Sequence, residues 1–279
     1  MTVLPDPVLV RAAPGLLPTG PAHRGVLVWR PPTPPTALSS AAVGGGLTRP
    51  AWVVNVGVDK GFARTDLAAY VAELAASLGL EGEGCALLTA ADVAQVQASR
   101  SGGVLAWATV GVTRPTWAVR PEGSGSSEGA EPSEVALHAG GPDDRQPPPP
   151  GTINLVVSLP VPLSTSALVQ AVGTATEAKA QALLEAGVPG TGTASDAVVV
   201  TCPGLAGRRP SAPEVGPARS GEGPALSEEG PEGPVAFAGV RSPWGEHIAR
   251  AVREAVAAGL AAHPWPPDDG DPGELGVVW

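Results

Sequence analysis

The sequence predicts an α+β fold: a single domain in which helices are layered on a mixed, largely antiparallel sheet. Strand-like segments come first and follow one another as in hairpins, and strand and helix then alternate in the second half of the chain. That order suits a mixed sheet better than a regular β–α–β repeat. Hydrophobic residues make up 43% of the 279 residues, so a sizeable core can be buried.

Strand signals dominate the beginning of the chain. Three segments are rich in valine and tryptophan and are bounded by proline or glycine, which is typical of strands: residues 26–30, 37–43 and 52–58. The glycine run 44–46 predicts a turn between the second and the third of them.

A first helix is predicted over residues 66–78, with Thr65 as its cap. Its apolar residues recur at the helical spacing of three and four positions: Leu67, Tyr70, Val71, Leu74 and Leu78. Residues 85–89 and 104–112 are predicted strands, and a short helix is predicted over residues 91–98.

The second half alternates strand and helix. Residues 152–159 predict a strand, and residues 165–186 predict a helix that Gly187 ends. Residues 197–202 form an unbroken valine-rich run, which indicates a strand buried on both faces. The last helix is expected to begin with Ser242 as cap and Pro243 at its first position, with an apolar stripe of Trp244, Ile248, Val252, Val256 and Leu260.

Glycine and proline cluster outside these elements. Residues 1–20 are predicted to be a flexible lead-in, residues 21–263 the folded domain, and residues 264–279 a flexible tail. Two inserts, about residues 121–150 and 204–234, lack hydrophobic periodicity and are too poor in apolar residues to offset the entropy of ordering. We expect both to be long disordered loops.

Charge and hydropathy exclude several classes of protein. The net charge is −10 and the basic residues form no stripe, so we expect no nucleic-acid partner. No window is apolar enough for a membrane span, and the N-terminus lacks the pattern of a signal peptide. We therefore expect a cytoplasmic protein with no membrane partner, in which Cys85 and Cys202 are reduced and buried. No feature of the sequence specifies an oligomeric state.

The helix at 165–186 carries polar residues on its apolar side. Leu168, Val169, Val172 and Leu183 define the apolar arc. Thr176 falls in the middle of that arc, Lys179 lies within it and Glu177 lies at its rim. A buried ammonium needs partners, so the pattern indicates a polar site beneath the helix. The alternative is a lysine that extends to solvent and a threonine bonded to its own helix.

A second polar segment, residues 191–196, precedes the buried strand. It offers hydroxyls at Thr191, Thr193 and Ser195 and a carboxylate at Asp196, beside two glycines that allow close backbone approach. A hydroxyl next to a carboxylate and a lysine supplies the groups that amide hydrolysis needs. The alternative is an ordinary turn, because all of these are turn residues.

Several segments together resemble the adenosylcobinamide amidohydrolase family, in the order of that family and over most of residues 25–262. The matching stretches are residues 38–62, 86–93, 107–118, 151–157, 167–200 and 237–252, and they include GTIN, TATEAK and TGTASDA. Both lysines of the chain, Lys60 and Lys179, fall inside them. The match departs from the family at residues 113–115, where many relatives have a small polar residue or asparagine.

The resemblance implies a reaction, and the roles of individual residues, which the resemblance does not settle, are our hypothesis. The substrate would be adenosylcobinamide or its phosphate, a corrinoid that carries its own cobalt, and the enzyme would need neither a cofactor nor a protein-bound metal. Asp196 would act as general base or position a water, and Lys179 and Asn154 would stabilise the oxyanion. Thr193 or Ser195 would be nucleophile or hydrogen-bond donor, and Glu177 would orient Lys179. Candidates for substrate binding are Asn55, Lys60, Thr152, Thr176 and Trp117.

Three other functions remain open at the level of sequence. The chain is also compatible with a corrinoid-binding protein without catalysis, with an amidohydrolase for a different amide, and with a structural domain whose polar groups only satisfy one another. The number of ionisable groups brought together favours an enzyme.

Overall fold

The structure, a computed structural model, describes residues 4–10, 25–59, 62–119, 151–204 and 233–265 and confirms the α+β class. The two predicted disordered loops lie almost wholly outside these residues, as does the C-terminal tail beyond residue 265. The elements are β1 (Val8–Val10), β2 (Val26–Trp29), β3 (Thr36–Ser39), β4 (Gly46–Thr48), β5 (Trp52–Gly57), α1 (Leu67–Ser77), β6 (Gly84–Thr89), β7 (Gln97–Ser101), β8 (Val104–Gly111), β9 (Thr152–Ser158), α2 (Thr165–Glu185), β10 (Ala197–Cys202) and α3 (Pro243–Ala262).

The strands form two sheets rather than the single sheet expected from the sequence. One sheet has the order β1-β2-β5-β6, and the other has the order β4-β3-β10-β9-β8-β7. In the described residues β5 pairs with β6 in parallel across α1, and β9 pairs with β10 in parallel across α2. The other strand pairs are antiparallel, which confirms the largely antiparallel character.

The two sheets pack face to face and helices cover their outer faces. Trp29 of the smaller sheet and Trp107 of the larger one meet edge to face, with ring centroids 5.8 Å apart. Val53, Val156 and Val199 belong to the same layer between the sheets. Helix α1 packs on the outer face of the four-stranded sheet, and α2 and α3 pack on that of the six-stranded sheet. The result is four layers, helix–sheet–sheet–helix.

The last helix is built as its sequence predicts. Ser242 accepts a hydrogen bond from the backbone N–H of Gly245 at 3.0 Å, and Pro243 occupies the first position. Four residues of the predicted stripe are buried: Ile248, Val252, Val256 and Leu260. At the end of α2, Gly187 has φ of +74°, the left-handed conformation expected of a residue that ends a helix.

Two local predictions are wrong. The N-cap of α1 is Asp66, not Thr65, and it makes no capping bond because Arg64 engages its carboxylate. Residues 91–98 contain only a 3₁₀ turn, Val93–Gln95, followed by β7. Strand β7 has no alternating apolar pattern. It forms because its backbone pairs with β8 and because it packs against α3.

Two further predictions differ from the structure. One is the strand at residues 37–43, and the other is the flexible lead-in at residues 1–20. The strand ends at Ser39, and the chain turns back at the glycine run to form β4, which pairs with β3. Within the lead-in, β1 pairs with β2, and the N–H of the buried Leu4 donates to the hydroxyl of Ser158 at 3.1 Å. Residues 4–10 are therefore part of the fold.

Cys85 and Cys202 are both free and buried, as predicted. Burial raises the pKa of each thiol, because the thiolate form would have to give up its hydration. We expect neither thiol to react with an aromatic disulfide reagent at pH 8 in the native protein, and both to react after unfolding in guanidinium chloride. Rapid reaction of one thiol before unfolding would show that its site opens. In the described residues, no helix is long and apolar enough to cross a membrane.

Candidate active site

The candidate residues gather where β9 and β10 begin. These two strands are parallel, and Ala197 of β10 lies opposite Asn154 of β9. The segments that precede them, residues 151–153 and 190–196, therefore meet at one edge of the six-stranded sheet. Helix α2 packs on the outer face of that sheet and brings Lys179 to the same place.

The carboxylate of Asp196 lies at the centre of this cluster. One carboxylate oxygen accepts from the backbone N–H of Ile153 at 2.8 Å and also contacts the hydroxyl of Thr193. The other oxygen accepts from the backbone N–H of Thr193 at 3.0 Å and from the ammonium of Lys179. A carboxylate offers about four lone-pair positions. The N–H groups of Ile153 and Thr193 and the ammonium of Lys179 occupy three of them, and Asp196 thereby links β9, α2 and its own turn.

Lys179 is a buried cation with a buried partner. Its side chain is 9% exposed and that of Asp196 is 12% exposed, so water screens the pair poorly. The lysine lies on the apolar face of α2 among alanines and leucines, where an unpaired ammonium would be costly. Of the two sequence readings, the polar site beneath the helix is the one observed.

A cavity of about 130 Å³ lies beside the ion pair and gives it access to a ligand. An ammonium has three donors, and among the described residues Lys179 uses one on Asp196. The walls come from the two strands, from α2 and from the end of the β3 segment: Ser40, Ile153, Leu155, Thr176, Lys179, Asp196, Ala197 and Val198.

Gly192 is required by the ion pair. A β-carbon at this position would lie 2.5 Å from Oδ2 of Asp196 and 2.6 Å from Nζ of Lys179. The Asp196 carboxylate is held by its other donors and cannot move aside without losing them. The close backbone approach that the sequence predicts for this glycine is therefore confirmed.

The two candidate hydroxyls differ in exposure. Thr193 is 8% exposed, and its hydroxyl donates to the carbonyl of Gly151 at 2.7 Å. Ser195 is exposed, and its hydroxyl shares a 2.8 Å hydrogen bond with that of Thr152. Of the two, Ser195 is the one that a ligand in solvent can reach.

Asn154 and Asn55 meet between the sheets, although they come from different sheets. Asn154 donates to Oδ1 of Asn55 at 2.9 Å and to the carbonyl of Leu88 at 3.0 Å, and Asn55 donates to the hydroxyl of Thr109 at 2.9 Å. The Oδ1 atom of Asn154 is buried and has no hydrogen-bond partner in the described residues. Only the stacking of the two sheets brings these asparagines together.

Of the other two predicted site residues on α2, Thr176 lines the cavity and Glu177 is not among its walls. Thr176 is exposed and donates to the carbonyl of Val172 at 2.9 Å, which is the alternative reading of that residue. Glu177 is also exposed, and the partner of Lys179 is Asp196; the orientation of Lys179 by Glu177 stays a prediction. The helix packs through a row of alanines, and its buried face is therefore rotated from the arc defined by larger residues: Val169 is 59% exposed.

The segment before Trp117 lies against the site. The N–H of Thr116 donates to the carbonyl of Gly192 at 2.8 Å, and the N–H of Thr191 donates back to the carbonyl of Thr116 at 2.8 Å. Trp117 follows directly and is half-buried, and its binding role stays a prediction. Lys60 lies outside the described residues.

The segment before Trp117 also contains Arg114, for which the sequence predicted no role. This arginine is half-buried, and its Nε atom is buried without a hydrogen-bond partner in the described residues. The only signal in the sequence is its position before Pro115, which favours extended backbone at Arg114.

Comparison with known proteins gives a consistent result. The family model described as adenosylcobinamide amidohydrolase matches residues 18–220. A protein of that name from Halobacterium salinarum is 34% identical over 184 residues, which cover 64% of this chain and 71% of the relative. Another from Methanosarcina mazei is 30% identical over 224 residues, which cover 79% and 88%.

Among solved structures, the crystal structure of the PH0078 protein from Pyrococcus horikoshii OT3 aligns with a TM-score of 0.41 and 11% identity, over 93% of this chain and 84% of that one. The match to the family model ends before α3, so the similarity predicted for residues 237–252 lies outside it.

Proposed function

Because the chain belongs to the adenosylcobinamide amidohydrolase family, we propose that it hydrolyses the amide bond between aminopropanol and the corrin ring of adenosylcobinamide or of its phosphate. The products are adenosylcobyric acid and aminopropanol or its phosphate. The observation that carries the proposal is the buried Lys179–Asp196 pair beside a small cavity. It lies in the segments on which the family resemblance depends.

The size of the cavity suggests how the substrate binds. Pockets that enclose a drug-sized ligand usually measure about 300–1,000 Å³, whereas this cavity measures about 130 Å³. It is large enough for the amide and the start of the aminopropanol arm but not for a corrin ring. We therefore place the scissile amide in the cavity, and the ring and the outer end of the arm on the surface outside it.

Lys179 is the group that we assign to the scissile carbonyl. In hydrolysis, the oxygen of a water bonds to the carbonyl carbon, the C–N bond breaks, and the leaving nitrogen takes up a proton. Negative charge develops on the carbonyl oxygen in the transition state, and a fixed cationic donor in a poorly hydrated site stabilises it. The N–H groups of Lys179 that Asp196 does not use are the donors for this charge.

Asp196 is better suited to position Lys179 than to act as a general base. Lys179 and the backbone N–H groups of Ile153 and Thr193 already donate to it, so the carboxylate is held against Lys179 and only one of its lone-pair positions is left for water. We assign Ser195, the exposed hydroxyl, to hydrogen bonding with the substrate. Asn154 is not assigned to the carbonyl, because it already donates to Asn55 and to the carbonyl of Leu88.

The proposed reaction serves corrinoid salvage in the cytoplasm. It removes the arm from an incomplete corrinoid, so that the acid can re-enter synthesis and receive a new lower ligand. The cobalt belongs to the substrate, and we expect the enzyme to need no further cofactor.

Incubating the purified full chain with adenosylcobinamide tests this function. We expect adenosylcobyric acid to appear in chromatography with mass detection, in equal amounts with and without a metal chelator. Recovery of unchanged corrinoid bound to the protein would support a binding protein without catalysis. Cleavage of simple amides but not of the corrinoid would point to an amidohydrolase for a different substrate.

A further inference from the structure

Arg114 is a cation without a counter-charge. Among the described residues it has no ion-pair or hydrogen-bond partner, and its Nε atom is buried. A buried N–H without an acceptor is uncommon in folded proteins and costs stability, so each example calls for an explanation. Arg114 as a whole is only half-buried, so an anionic ligand from solution can still reach the outer part of its guanidinium and supply an acceptor.

The backbone on both sides of Arg114 is fixed against the site. The amide nitrogen of Thr113 lies 2.7 Å from where a β-carbon on Gly151 would be, and Cβ of Pro115 lies 2.9 Å from the same position on Gly190. The bonds of Thr116 with the turn before Asp196 hold the segment in place. Arg114 is thus anchored next to both segments that hold the Lys179–Asp196 pair.

The charges of the site provide no other free cation that could attract an anionic substrate among the described residues. Asp196 already neutralises Lys179, and the chain as a whole carries a net charge of −10. A substrate with a phosphate group would be repelled by the overall field of the protein unless a local cation attracted it. The planar guanidinium matches a phosphate and binds it through two parallel hydrogen bonds.

We infer that Arg114 binds a phosphate at the end of the aminopropanol arm, so that this chain prefers the phosphorylated corrinoid. The inference rests on the proposed function and narrows its substrate class. Arg114 is then a determinant of specificity at the outer end of the arm, and Lys179 serves the scissile carbonyl at the inner end.

The test compares adenosylcobinamide with adenosylcobinamide phosphate as substrates of the wild type and of Arg114→Ala. In the wild type we expect a higher kcat/KM for the phosphorylated substrate. In the variant we expect that preference to fall by about 10- to 100-fold, the factor for a charge-assisted hydrogen bond, and mainly through KM. Arg114→Lys is expected to keep part of the preference, because lysine keeps the positive charge but lacks the two parallel N–H donors of the guanidinium.

Arg100→Ala is the matched control. Arg100 is an exposed arginine on β7, an edge strand of the six-stranded sheet, and its loss changes the net charge by the same amount. We expect no change of preference in this variant.

Two kinetic results would overturn the inference. An equal fall of kcat for both substrates in Arg114→Ala would place Arg114 at the scissile bond instead, and an unchanged preference would leave it without a role in recognition.

Binding of both corrinoids by calorimetry separates this inference from the proposed function, because it needs no turnover. If the wild type cleaves neither corrinoid, the function fails. Tighter binding of the phosphate form, lost in Arg114→Ala, would still support the inference, and equal binding of both forms by the wild type would overturn it.

Discussion

The double variant Lys179→Met/Asp196→Asn is expected to remain folded and to lose turnover of adenosylcobinamide by about 100-fold or more. Removing one donor that stabilises developing negative charge typically lowers kcat by about 10²–10³. The double change removes that donor without leaving a buried charge behind, so the loss reports on chemistry rather than on folding. The expected effect falls on kcat, with little change in KM, because the donor acts on charge that appears only in the transition state.

An exposed ion pair provides the control. Glu246 and Arg250 on α3 are 3.0 Å apart and well exposed, and Glu246→Gln/Arg250→Met is expected to leave turnover unchanged. Turnover within a few-fold of the wild type in the Lys179/Asp196 double variant would contradict the assignment of the site. In that event catalysis would have to be sought around Asn154 and Ser195 instead.

The single variant Lys179→Met is expected to lower the free energy of unfolding by about 3–5 kcal/mol. It removes the ammonium and leaves the Asp196 carboxylate, which is 12% exposed, without a counter-charge. The double variant should be more stable than this single variant, because an amide at position 196 needs no counter-charge. It should still be less stable than the wild type by about 1–2 kcal/mol, since an amide cannot accept from the N–H groups of both Ile153 and Thr193.

Unfolding in urea, followed by circular dichroism, measures these three values, and the further single variant Asp196→Asn completes a double-mutant cycle. The exposed pair on α3 should show a coupling below about 1 kcal/mol. If Lys179→Met were as stable as the double variant, the carboxylate would not depend on Lys179, and the positioning role of Asp196 would be wrong.

Much of the secondary structure follows from local sequence. Helix α3 begins where Ser242 and Pro243 predict and buries the residues of its stripe, because capping and periodicity act within a few residues. Strand β10 follows from its valine run. Local signals fail at β7, where backbone pairing with β8 and contact with α3 outweigh a sequence that has no strand pattern of its own.

The candidate site was predicted in part. The segments at 151–154, 174–179 and 191–196 converge as expected, and Asp196, Lys179, Thr193 and Ser195 lie together. The role predicted for Glu177 stays a prediction: this residue is exposed, because α2 packs through alanines and its buried face is rotated from the arc of large aliphatic residues that the helical wheel weighted. Arg114 was not predicted as a site residue, because an unpaired cation is visible only once its surroundings are known.

The sequence by itself determined the α+β class, the positions of most helices and strands, and the family to which the chain belongs, because periodicity, capping residues and linear motifs are properties of neighbouring residues. Only the tertiary structure decided that the strands divide into two sheets, that Asn55 meets Asn154 between them, and that Lys179 pairs with Asp196. These contacts join residues 17 to 99 positions apart. They depend on the register of strands and on the packing of alanine-lined faces, which set the distances between side chains and which no local pattern encodes.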